Sequence, residues 1–476
     1  MFADLLPADA ILVSEEACRP FECDGLSAYR SVPHLVLLPA SEAEVVAIVK
    51  RCAEHGVVIV PRGAGTGLSG GAMAIPGAVM LVLSRMSRMI TLDAERGLAR
   101  VEPGVRNLAI SEAAASHGLY YAPDPSSQIA CSIGGNVAEN AGGVHCLKYG
   151  LTVNNVQALR CVLPDGEILE LGGECLDEPG LDLLALMHGS EGMLGIVTEV
   201  TVRLLPIPPC IKTLLVSFDS VSAAAQAVAD VLAAGVIPAG MEMMDHLAIS
   251  AAEDFAQAGY PREAQAILII ELDGLSEDVA ANLERLKRVL QAANATEVRE
   301  AESATERALF WKGRKSAFPA VGRLAPDYYC MDGTIPKQKL PEVLAGIAAL
   351  SEQAGLPVAN VFHAGDGNLH PLILFDANID GQLEMAEQLG GDILALCVTL
   401  GGTITGEHGV GREKLNQMCV QFSTAELEQF KAVKEAFDPA RRFNPNKNIP
   451  TLARCAEFGA MHVHNNELPH PHLERF

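Results

Sequence analysis

The stretch Pro61-Arg-Gly-Ala-Gly-Thr-Gly-Leu-Ser-Gly-Gly71 decides how the first part of the chain folds. Half of the residues after the proline are glycine and none is acidic, so successive backbone N–H groups can point together at a phosphate. The glycine spacing also matches G-x-G-x-x-G, but a Rossmann fingerprint must open a helix. Here an apolar strand at 57–60 precedes the glycines and another strand-like run follows at 78–83. The sequence therefore predicts a strand–loop–strand site for a pyrophosphate and argues against a Rossmann site.

The composition limits the partners and the compartment. A chain of 476 residues is long enough for two or more domains, and a formal net charge of −24 makes nucleic acid and anionic membranes poor partners. The 12 cysteines form no C-x-x-C pair, which argues against iron–sulfur and zinc-ribbon sites and fits a reducing compartment. The first residues lack the basic charge of a signal peptide, and no uncharged apolar stretch reaches membrane-spanning length. We expect a cytoplasmic protein without direct membrane insertion.

The pattern of predicted strands and helices changes at a proline-rich segment, Leu204-Leu-Pro-Ile-Pro-Pro209, which we interpret as a domain boundary. Strands alternate with short helices before it. Repeated β–α units after it suggest an antiparallel sheet with helices on one face. The predicted fold class is α+β, with domains over residues 1–209, 210–411 and 412–476.

A second segment, Ala122 to Gly143, is also rich in glycine and nearly free of charge. Gly134-Gly-Asn136 and Asn140-Ala-Gly-Gly143 again offer backbone N–H groups without side-chain obstruction. The alternative is an ordinary surface loop, but long structureless loops in compact domains are usually binding loops. We therefore expect this segment to contact the ligand.

Four motifs carry a resemblance to a known family: R-G-A-G-T-G-L-S-G-G from Arg62, P-D-P-S-S from Pro123, S-I-G-G-N-x-A-x-N-A-G-G from Ser132 and G-S-E-G-x-L-G-I from Gly189. They resemble the FAD-binding domain of the vanillyl-alcohol oxidase/p-cresol methylhydroxylase (PCMH) group. Over nearly the whole chain the sequence is similar to the FAD-linked subunits of bacterial glycolate oxidase. The resemblance implies a two-part PCMH-type FAD-binding domain, a ferredoxin-like α+β cap domain, and C-terminal helices that return to the flavin domain.

The resemblance also implies which residues hold FAD. No histidine occurs between His55 and His117, so we expect the cofactor to be non-covalent. The implied contacts are Pro61, Arg62, Gly63, Ala64, Gly65, Thr66, Gly67, Leu68 and Ser69 at the pyrophosphate, Pro123, Asp124, Gly134, Gly135, Asn140 and Gly143 at the ring and ribityl chain, and Ile196 and Val197 at the adenine.

A possible metal site follows from Phe362-His-Ala-Gly-Asp-Gly-Asn-Leu-His370, in which a Gly-Asp-Gly turn separates two apolar runs. A hairpin there would bring His363 and His370 together, and Glu407 could complete a three-ligand divalent-metal site with open positions. Considered alone, each histidine is better interpreted as a hydrogen-bonded core residue. The glutamate alone is better interpreted as an ordinary surface carboxylate. Their joint occurrence in glycine-flanked loops favours a metal, and the resemblance implies these same ligands for zinc or manganese.

The chemistry implied is oxidation of a small 2-hydroxy acid, glycolate to glyoxylate, by hydride transfer to FAD. His408 is our candidate for the base that takes the hydroxyl proton, and the resemblance assigns the substrate carboxylate to Arg314. Relatives with larger substrates place further polar groups near the positions that Phe318 and Cys330 occupy here. The resemblance therefore implies a smaller, less polar pocket that favours glycolate or D-lactate over 2-hydroxyglutarate. The alternatives are a D-lactate dehydrogenase, a non-redox flavoprotein, and a metal-dependent hydrolase.

Reduced flavin needs an electron acceptor, and the resemblance implies a second FAD-type subunit and an iron–sulfur subunit that deliver electrons to a quinone. That would place the protein at the periphery of the inner membrane through its partners. The tail carries His462, His464, His470 and His472, which could bind such partners; a disordered terminus is the alternative.

Overall fold

The computed structural model describes residues 1–173 and 179–450. The histidine-bearing tail lies outside the described residues. No helix in those ranges combines the length and the apolarity that crossing a membrane requires.

The first sheet of the N-terminal domain carries the glycine loop. It has four strands in the order β1-β2-β4-β3, in which β2 and β3 both run parallel to β4, and β1 is antiparallel to β2. The strands are β1 (Ile11–Leu12), β2 (Val36–Leu37), β3 (Ile59–Arg62) and β4 (Val79–Val82), and the helices beside them are α1 (Glu15–Cys18) and α2 (Glu42–His55).

The helix α2 shows how local sequence sets this layer. The Ser41 hydroxyl accepts a hydrogen bond from the N–H of Glu44 and begins the helix, and Gly56 ends it in the left-handed conformation at φ 66°. Its apolar face, which includes Val45 and Ile48, is buried in the same core as Ile59 of β3.

The second sheet has five antiparallel strands in the order β5-β6-β10-β8-β9, and β7 pairs separately with β11. The strands are β5 (Met89–Asp93), β6 (Leu98–Val101), β7 (Leu119–Tyr120), β8 (Val156–Val162), β9 (Ile168–Gly172), β10 (Ile196–Arg203) and β11 (Leu205–Pro206). The helices of this part are α3 (Asn107–Ala114), α4 (Ile133–Glu139), α5 (Cys146–Tyr149), α6 (Thr152–Asn155) and α7 (Leu183–Met187).

The cap domain is built on a seven-stranded antiparallel sheet in the order β15-β12-β14-β13-β17-β18-β16. The strands are β12 (Cys210–Phe218), β13 (Gly240–Asp245), β14 (Ala266–Gly274), β15 (Glu297–Glu300), β16 (Asp327–Cys330), β17 (Val358–Phe362) and β18 (Pro371–Phe375). The helices are α8 (Val221–Ala233), α9 (His246–Ala256), α10 (Ser276–Ala292), α11 (Ala304–Lys315), α12 (Ala317–Val321), α13 (Leu340–Ala354) and α14 (Gln382–Thr399).

The expectation that helices cover one face of this sheet is wrong, because both faces are covered. Along β14, Leu268 and Ile270 face a core that includes residues of α8, α10, α13 and α14, whereas Ile267 and Ile269 face one that includes residues of α9, α11 and α12. The unbroken apolar run at 266–270 was the available signal, since a strand buried on both faces shows no alternation.

The C-terminal helices are α15 (Leu415–Gln421) and α16 (Thr424–Phe437). The first packs against α14 of the cap. Val433 and Phe437 of α16 pack against the core of the second sheet, and Phe443 is buried in the core of the first. The chain therefore crosses back from the cap to the N-terminal domain, although the boundary at 412 stays a prediction.

Candidate active site

A cavity of about 370 Å³ lies between the N-terminal domain and the cap. The glycine loop, α4, residues 187–197 and cap residues between 315 and 408 contribute to its walls. Of the predicted cofactor residues, those on its wall are Pro61, Arg62, Gly63, Ala64, Gly65, Thr66, Gly67, Leu68, Gly134, Gly135, Ile196 and Val197. One cavity therefore joins the glycine-rich segments to His363, His370 and Glu407, which together we call the His–Glu centre.

The other predicted cofactor residues, Ser69, Pro123, Asp124, Asn140 and Gly143, do not line the cavity. The Ser69 carbonyl accepts hydrogen bonds from the N–H groups of Arg412 and Glu413, and the Asn140 side chain accepts one from Val153. Ser69 and Asn140 therefore stabilise the loops around the cavity. Direct contact of any of the five residues with a cofactor stays a prediction.

The glycine loop runs from β3 to β4 without a helix, so the predicted strand–loop–strand arrangement is confirmed. Gly65 and Gly70 adopt left-handed φ values of 73° and 74°. A Cβ on Gly65 would overlap the guanidinium of Arg62, whose Nη2 donates to the Cys23 carbonyl at 2.8 Å. A Cβ on Gly63 would overlap Ser132 Oγ, so this loop approaches the start of α4 only because glycine is there.

The two candidate metal-ligating histidines meet as predicted at the base of a hairpin. His363 follows β17 and His370 precedes β18; their ring centroids are 5.0 Å apart and their planes are at 88°. The Oε1 atom of Glu407 lies 3.2 Å from His363 Nε2 and 3.0 Å from His370 Nε2. Two imidazole nitrogens and one carboxylate oxygen therefore converge on one point.

The electrostatics of this centre come from buried opposite charges. Burial alone would raise the pKa of Glu407, but its contacts with His363 and His370 hold it well below the usual range. Burial disfavours the charged form of His363, yet Glu242 and Glu407 raise its pKa well above the ordinary value. A cation would replace that proton, because metal ligands bind deprotonated.

A second arrangement of possible ligands, Cys330 with His370 and His408, shares one histidine with the first. The His370 and His408 rings are stacked, with centroids 4.8 Å apart and planes at 9°. Lone pairs in the planes of stacked rings run parallel and do not converge on one ion. The perpendicular pair His363 and His370, with Glu407, is therefore the better candidate for a metal site.

Glu242, which the sequence analysis missed, orients this centre from β13. Its Oε1 accepts a hydrogen bond from His363 Nδ1 at 2.7 Å, which leaves Nε2 to face Glu407. Its Oε2 lies 2.6 Å from Arg314 Nη2, and both side chains are 1% exposed. A glutamate inside the apolar strand Met241-Glu-Met-Met244 was a signal for a buried polar role.

Arg314 therefore lies behind His363, paired with Glu242, and does not line the cavity. Its neighbour Lys315 does line it, together with Phe318. Cys330 is buried and lies off the wall. Two cations at adjacent positions, one buried and one on the wall, are candidates to hold an anionic substrate.

His408 lies beside this cluster with its side chain 13% exposed, and its Nδ1 has no hydrogen-bond partner among the described residues. Burial is the main reason that its pKa falls to about 4, so the ring is neutral at pH 7. A neutral imidazole with an unengaged nitrogen can accept a proton.

Asp332, also missed from the sequence, holds the loop that carries Glu407 and His408. Burial would raise its pKa, but the charge of Lys414 helps to hold it below the usual range. No local pattern in Met331-Asp-Gly333 marks this role. The donors to its two oxygens are the hydroxyl of Thr405, the N–H groups of Gly406, Glu407 and His408, the amide of Asn368 and the ammonium of Lys414.

An ionic network joins the two domains beside the cavity. His145 Nδ1 lies 3.0 Å from Asp124 Oδ1, and His145 Nε2 lies 3.3 Å from Glu271 Oε1. Lys315 donates to Asp124 Oδ2 at 3.4 Å, and Trp311 Nε1 donates to Glu271 Oε2 at 2.7 Å. Burial opposes the charges, but pairing lowers the pKa of Asp124 to about 2 and raises that of His145 to about 10.

Comparison with known proteins adds the family context. Residues 33–172 match the FAD binding domain, and residues 207–448 match the C-terminal domain of FAD linked oxidases. Glycolate oxidase subunit GlcD of Escherichia coli (strain K12) is 62% identical over 471 residues, covering 99% of this chain and 94% of that protein. D-lactate dehydrogenase of Anaerostipes hadrus is 32% identical over 456 residues, covering 94% and 96%. The crystal structure of p-cresol methylhydroxylase with substrate bound aligns with a TM-score of 0.78 at 17% identity, covering 95% of this chain and 96% of that one, and shows the fold alone.

Proposed function

The chain belongs to the family of FAD-linked oxidases that includes the glycolate oxidase subunits, and we propose that it oxidises glycolate to glyoxylate. One observation carries the proposal: the glycine loop and the His–Glu centre line the same cavity. A cofactor held by the loop and a substrate held at His363, His370 and Glu407 would share one enclosed space. D-lactate dehydrogenase is the second candidate, because a relative of that name aligns over 94% of this chain.

The residues present fit FAD. Because Gly63 and Gly65 have no Cβ, the loop can lie close to its neighbouring residues. Two glycine-rich segments line one wall of the cavity and can present backbone N–H groups to a phosphate. Bound there, FAD would accept the hydride that leaves Cα of the substrate. Among residues 61–68, the backbone would hold the pyrophosphate and the buried Arg62 would support the loop from behind.

The residues also fit a divalent cation, zinc or manganese, at His363, His370 and Glu407. Such an ion would lower the pKa of the substrate hydroxyl. Nearby, neutral His408 would take the hydroxyl proton. The hydrogen on Cα would then leave as a hydride and take the electron pair of the Cα–H bond with it. Replacing Glu407 with glutamine should remove most of the bound metal, as measured by elemental analysis of dialysed protein, whereas the exposed Glu112→Gln should retain it.

The substrate carboxylate requires a cation, and Arg314 and Lys315 are the two candidates. Substitution of each residue should have a different effect on KM, depending on which one binds the carboxylate. If Arg314 binds it, Arg314→Met raises KM and Lys315→Met has little effect. If Lys315 binds it, the KM effects reverse, and Arg314→Met mainly destabilises the fold by leaving Glu242 unpaired. KM and the free energy of unfolding, measured for both variants, separate the two.

The reaction itself is tested by mixing FAD-loaded protein anaerobically with glycolate, D-lactate, L-lactate or D-2-hydroxyglutarate and following the loss of flavin absorbance. We expect glycolate to reduce the flavin, His408→Ala to slow reduction about 100-fold or more, and the exposed His117→Gln to leave it unchanged.

Other outcomes have distinct meanings. Reduction by D-lactate but not by glycolate would favour the second candidate. A rate that His408→Ala leaves unchanged would contradict its role as base. No flavin reduction by any of the four hydroxy acids would favour a non-redox role for the site. Activity that survives removal of flavin would favour a hydrolase.

We also propose that electrons leave through a second FAD-type subunit and an iron–sulfur subunit to a quinone, at the inner membrane. The support is the relative's name as a subunit and the absence of any C-x-x-C pair for a cluster in this chain. Quinone reduction by the isolated chain at the rate of the intact complex would contradict it.

A further inference from the structure

Glu139 ends α4 and lines the cavity. A Cβ on Gly71 would lie 3.1 Å from Glu139 Oε1, so one oxygen is close to the end of the glycine loop. A Cβ on Gly409 would overlap Glu139 Oε2, so the other oxygen lies against the residue that follows His408. The carboxyl group therefore sits where the phosphate-binding loop and the reacting centre meet.

A second carboxylate, Glu191, approaches the same two glycines. It accepts hydrogen bonds from the N–H groups of Val410 at 2.7 Å and Gly411 at 2.8 Å, and from Asn448 Nδ2 at 2.6 Å. Three donors stabilise an ionised carboxylate. Burial raises the pKa of Glu191 as well, but these three donors oppose that rise, so the negative charge of the pair is assigned to Glu191.

Glu139 has no such support. Its Oε2 is buried without a hydrogen-bond partner among the described residues. Burial, followed by the charges of Glu191 and Asp24, raises the pKa of Glu139 well above its usual range, against the opposing charges of Lys414 and Lys447. A second ionised carboxylate here would face like charge without donors, which is costly in a protein interior.

The two nearby lysines are committed elsewhere. Lys414 Nζ lies 3.3 Å from Asp332 Oδ2. Lys447 Nζ donates to the carbonyls of Gly71 at 2.6 Å and Met73 at 2.7 Å. Neither ammonium forms an ion pair with Glu139 among the described residues, so its carboxyl group is left to interact with whatever fills the cavity.

We propose that Glu139 is a neutral carboxylic acid that donates a hydrogen bond to a heteroatom of the isoalloxazine ring. This goes beyond the proposed function but rests on its premise that FAD occupies the cavity. A neutral donor stabilises the negative charge that the flavin gains on hydride transfer, whereas a glutamate anion would oppose it. Glu139 would thus help to set the reduction potential without taking part in bond breaking.

A matched pair of variants tests the protonation state. Glu139→Gln keeps a neutral donor of the same shape, and Glu139→Leu removes it. For each full-length protein, FAD affinity is measured by titration, and the midpoint potential by chemical reduction without substrate. An infrared difference spectrum of reduction then reports the carbonyl stretch of a protonated carboxylic acid.

We expect Glu139→Gln to retain the affinity and the potential of the unmodified protein but to lose the acid band. Glu139→Leu should bind FAD about tenfold more weakly, because a buried hydrogen bond is lost. It should also favour the oxidised state about tenfold more, which is about 30 mV for a two-electron couple.

The proposal is overturned if Glu139→Gln raises the midpoint potential, because that means that a negative charge was removed. It is also overturned if no acid band is present, or if Glu139→Leu matches the unmodified protein. A failure of the proposed function looks different, because the unmodified protein would then bind no FAD or would not be reduced by any hydroxy acid.

Discussion

The two ends of the cavity are built by different means. At the glycine-loop end, one continuous stretch at 61–71 presents backbone groups, and its shape follows from left-handed glycines. At the His–Glu end, side chains arrive from β13, from 363–370 and from 405–408, and buried charges hold them in place. One end is largely local in sequence and presents backbone groups. The other is assembled from distant segments and depends on ion pairs.

This difference implies that the two ends respond differently to substitution. Removing a support at the His–Glu end leaves a buried charge uncompensated and should affect the stability of the whole protein. Changing the glycine loop alters a surface for a ligand and should affect binding more than stability.

The largest effect is expected for Asp332→Ala. Lys414 is fully buried with its Nζ 3.3 Å from Asp332 Oδ2, and the N–H groups of Gly406 and His408 also lose their acceptor. Leaving a buried charge without its partner costs about 3–5 kcal/mol in the free energy of unfolding. Urea denaturation measures it, and the exposed Asp219→Ala should stay within about 0.5 kcal/mol of the unmodified protein.

A milder replacement sharpens the interpretation. Asp332→Asn keeps an acceptor oxygen for the loop but removes the negative charge opposite Lys414. If the loop hydrogen bonds matter, Asp332→Asn should lower the free energy of unfolding by less than Asp332→Ala does. If only the charge matters, the two variants should lower it equally. No measurable loss in either variant would contradict the view that ion pairs hold this end.

Glu242→Gln is expected to have the next largest effect. Glutamine can still accept the hydrogen bond from His363 Nδ1, but it no longer neutralises Arg314 or strengthens the imidazole as a ligand. We expect the affinity for zinc or manganese to fall about 10- to 100-fold, measured by competition with a chelator. An unchanged affinity would show that Glu242 serves only to neutralise Arg314.

The same contrast explains what the sequence could reveal. The strand–loop–strand turn, the PCMH-type fold and the family were predictable because glycine spacing and motifs are local, and they are confirmed. The meeting of His363 and His370 was also predictable, because a Gly-Asp-Gly turn between apolar runs favours a hairpin.

Asp332 and Glu242 could not be assigned from the sequence, because their roles depend on partners far along the chain. The position of Arg314 behind His363 was unpredictable for the same reason, since it depends on pairing with a strand more than 70 residues earlier. The helices on both faces of the cap sheet were missed although the unbroken apolar run of β14 indicated them.

Gly65→Ala tests the other end of the cavity. Gly65 and Gly56 both adopt left-handed φ, so alanine costs a similar backbone strain of about 1 kcal/mol at either position. A Cβ on Gly65 would in addition displace Arg62, whereas a Cβ on Gly56 meets nothing within 4 Å. We expect Gly65→Ala to weaken FAD binding about tenfold and Gly56→Ala to leave it unchanged, measured by flavin titration; equal affinities would contradict the loop's role.

The smallest effect concerns the ionic network that joins the two domains beside the cavity. The pKa of His145 is raised to about 10, so its stabilising charge is fully present below the unfolded-state pKa of about 6.5 and is lost as the pH rises from there to about 10. The pKa of Asp124 is lowered to about 2, so its contribution is constant above about pH 4 and is lost only as the pH falls below that. Between pH 7 and 8, the free energy of unfolding should therefore fall by about 1 kcal/mol more in the unmodified protein than in His145→Gln, while the exposed His34→Gln keeps the full decline. Equal declines in all three proteins would mean that His145 is neutral, and that hydrogen bonds rather than charges join the two domains.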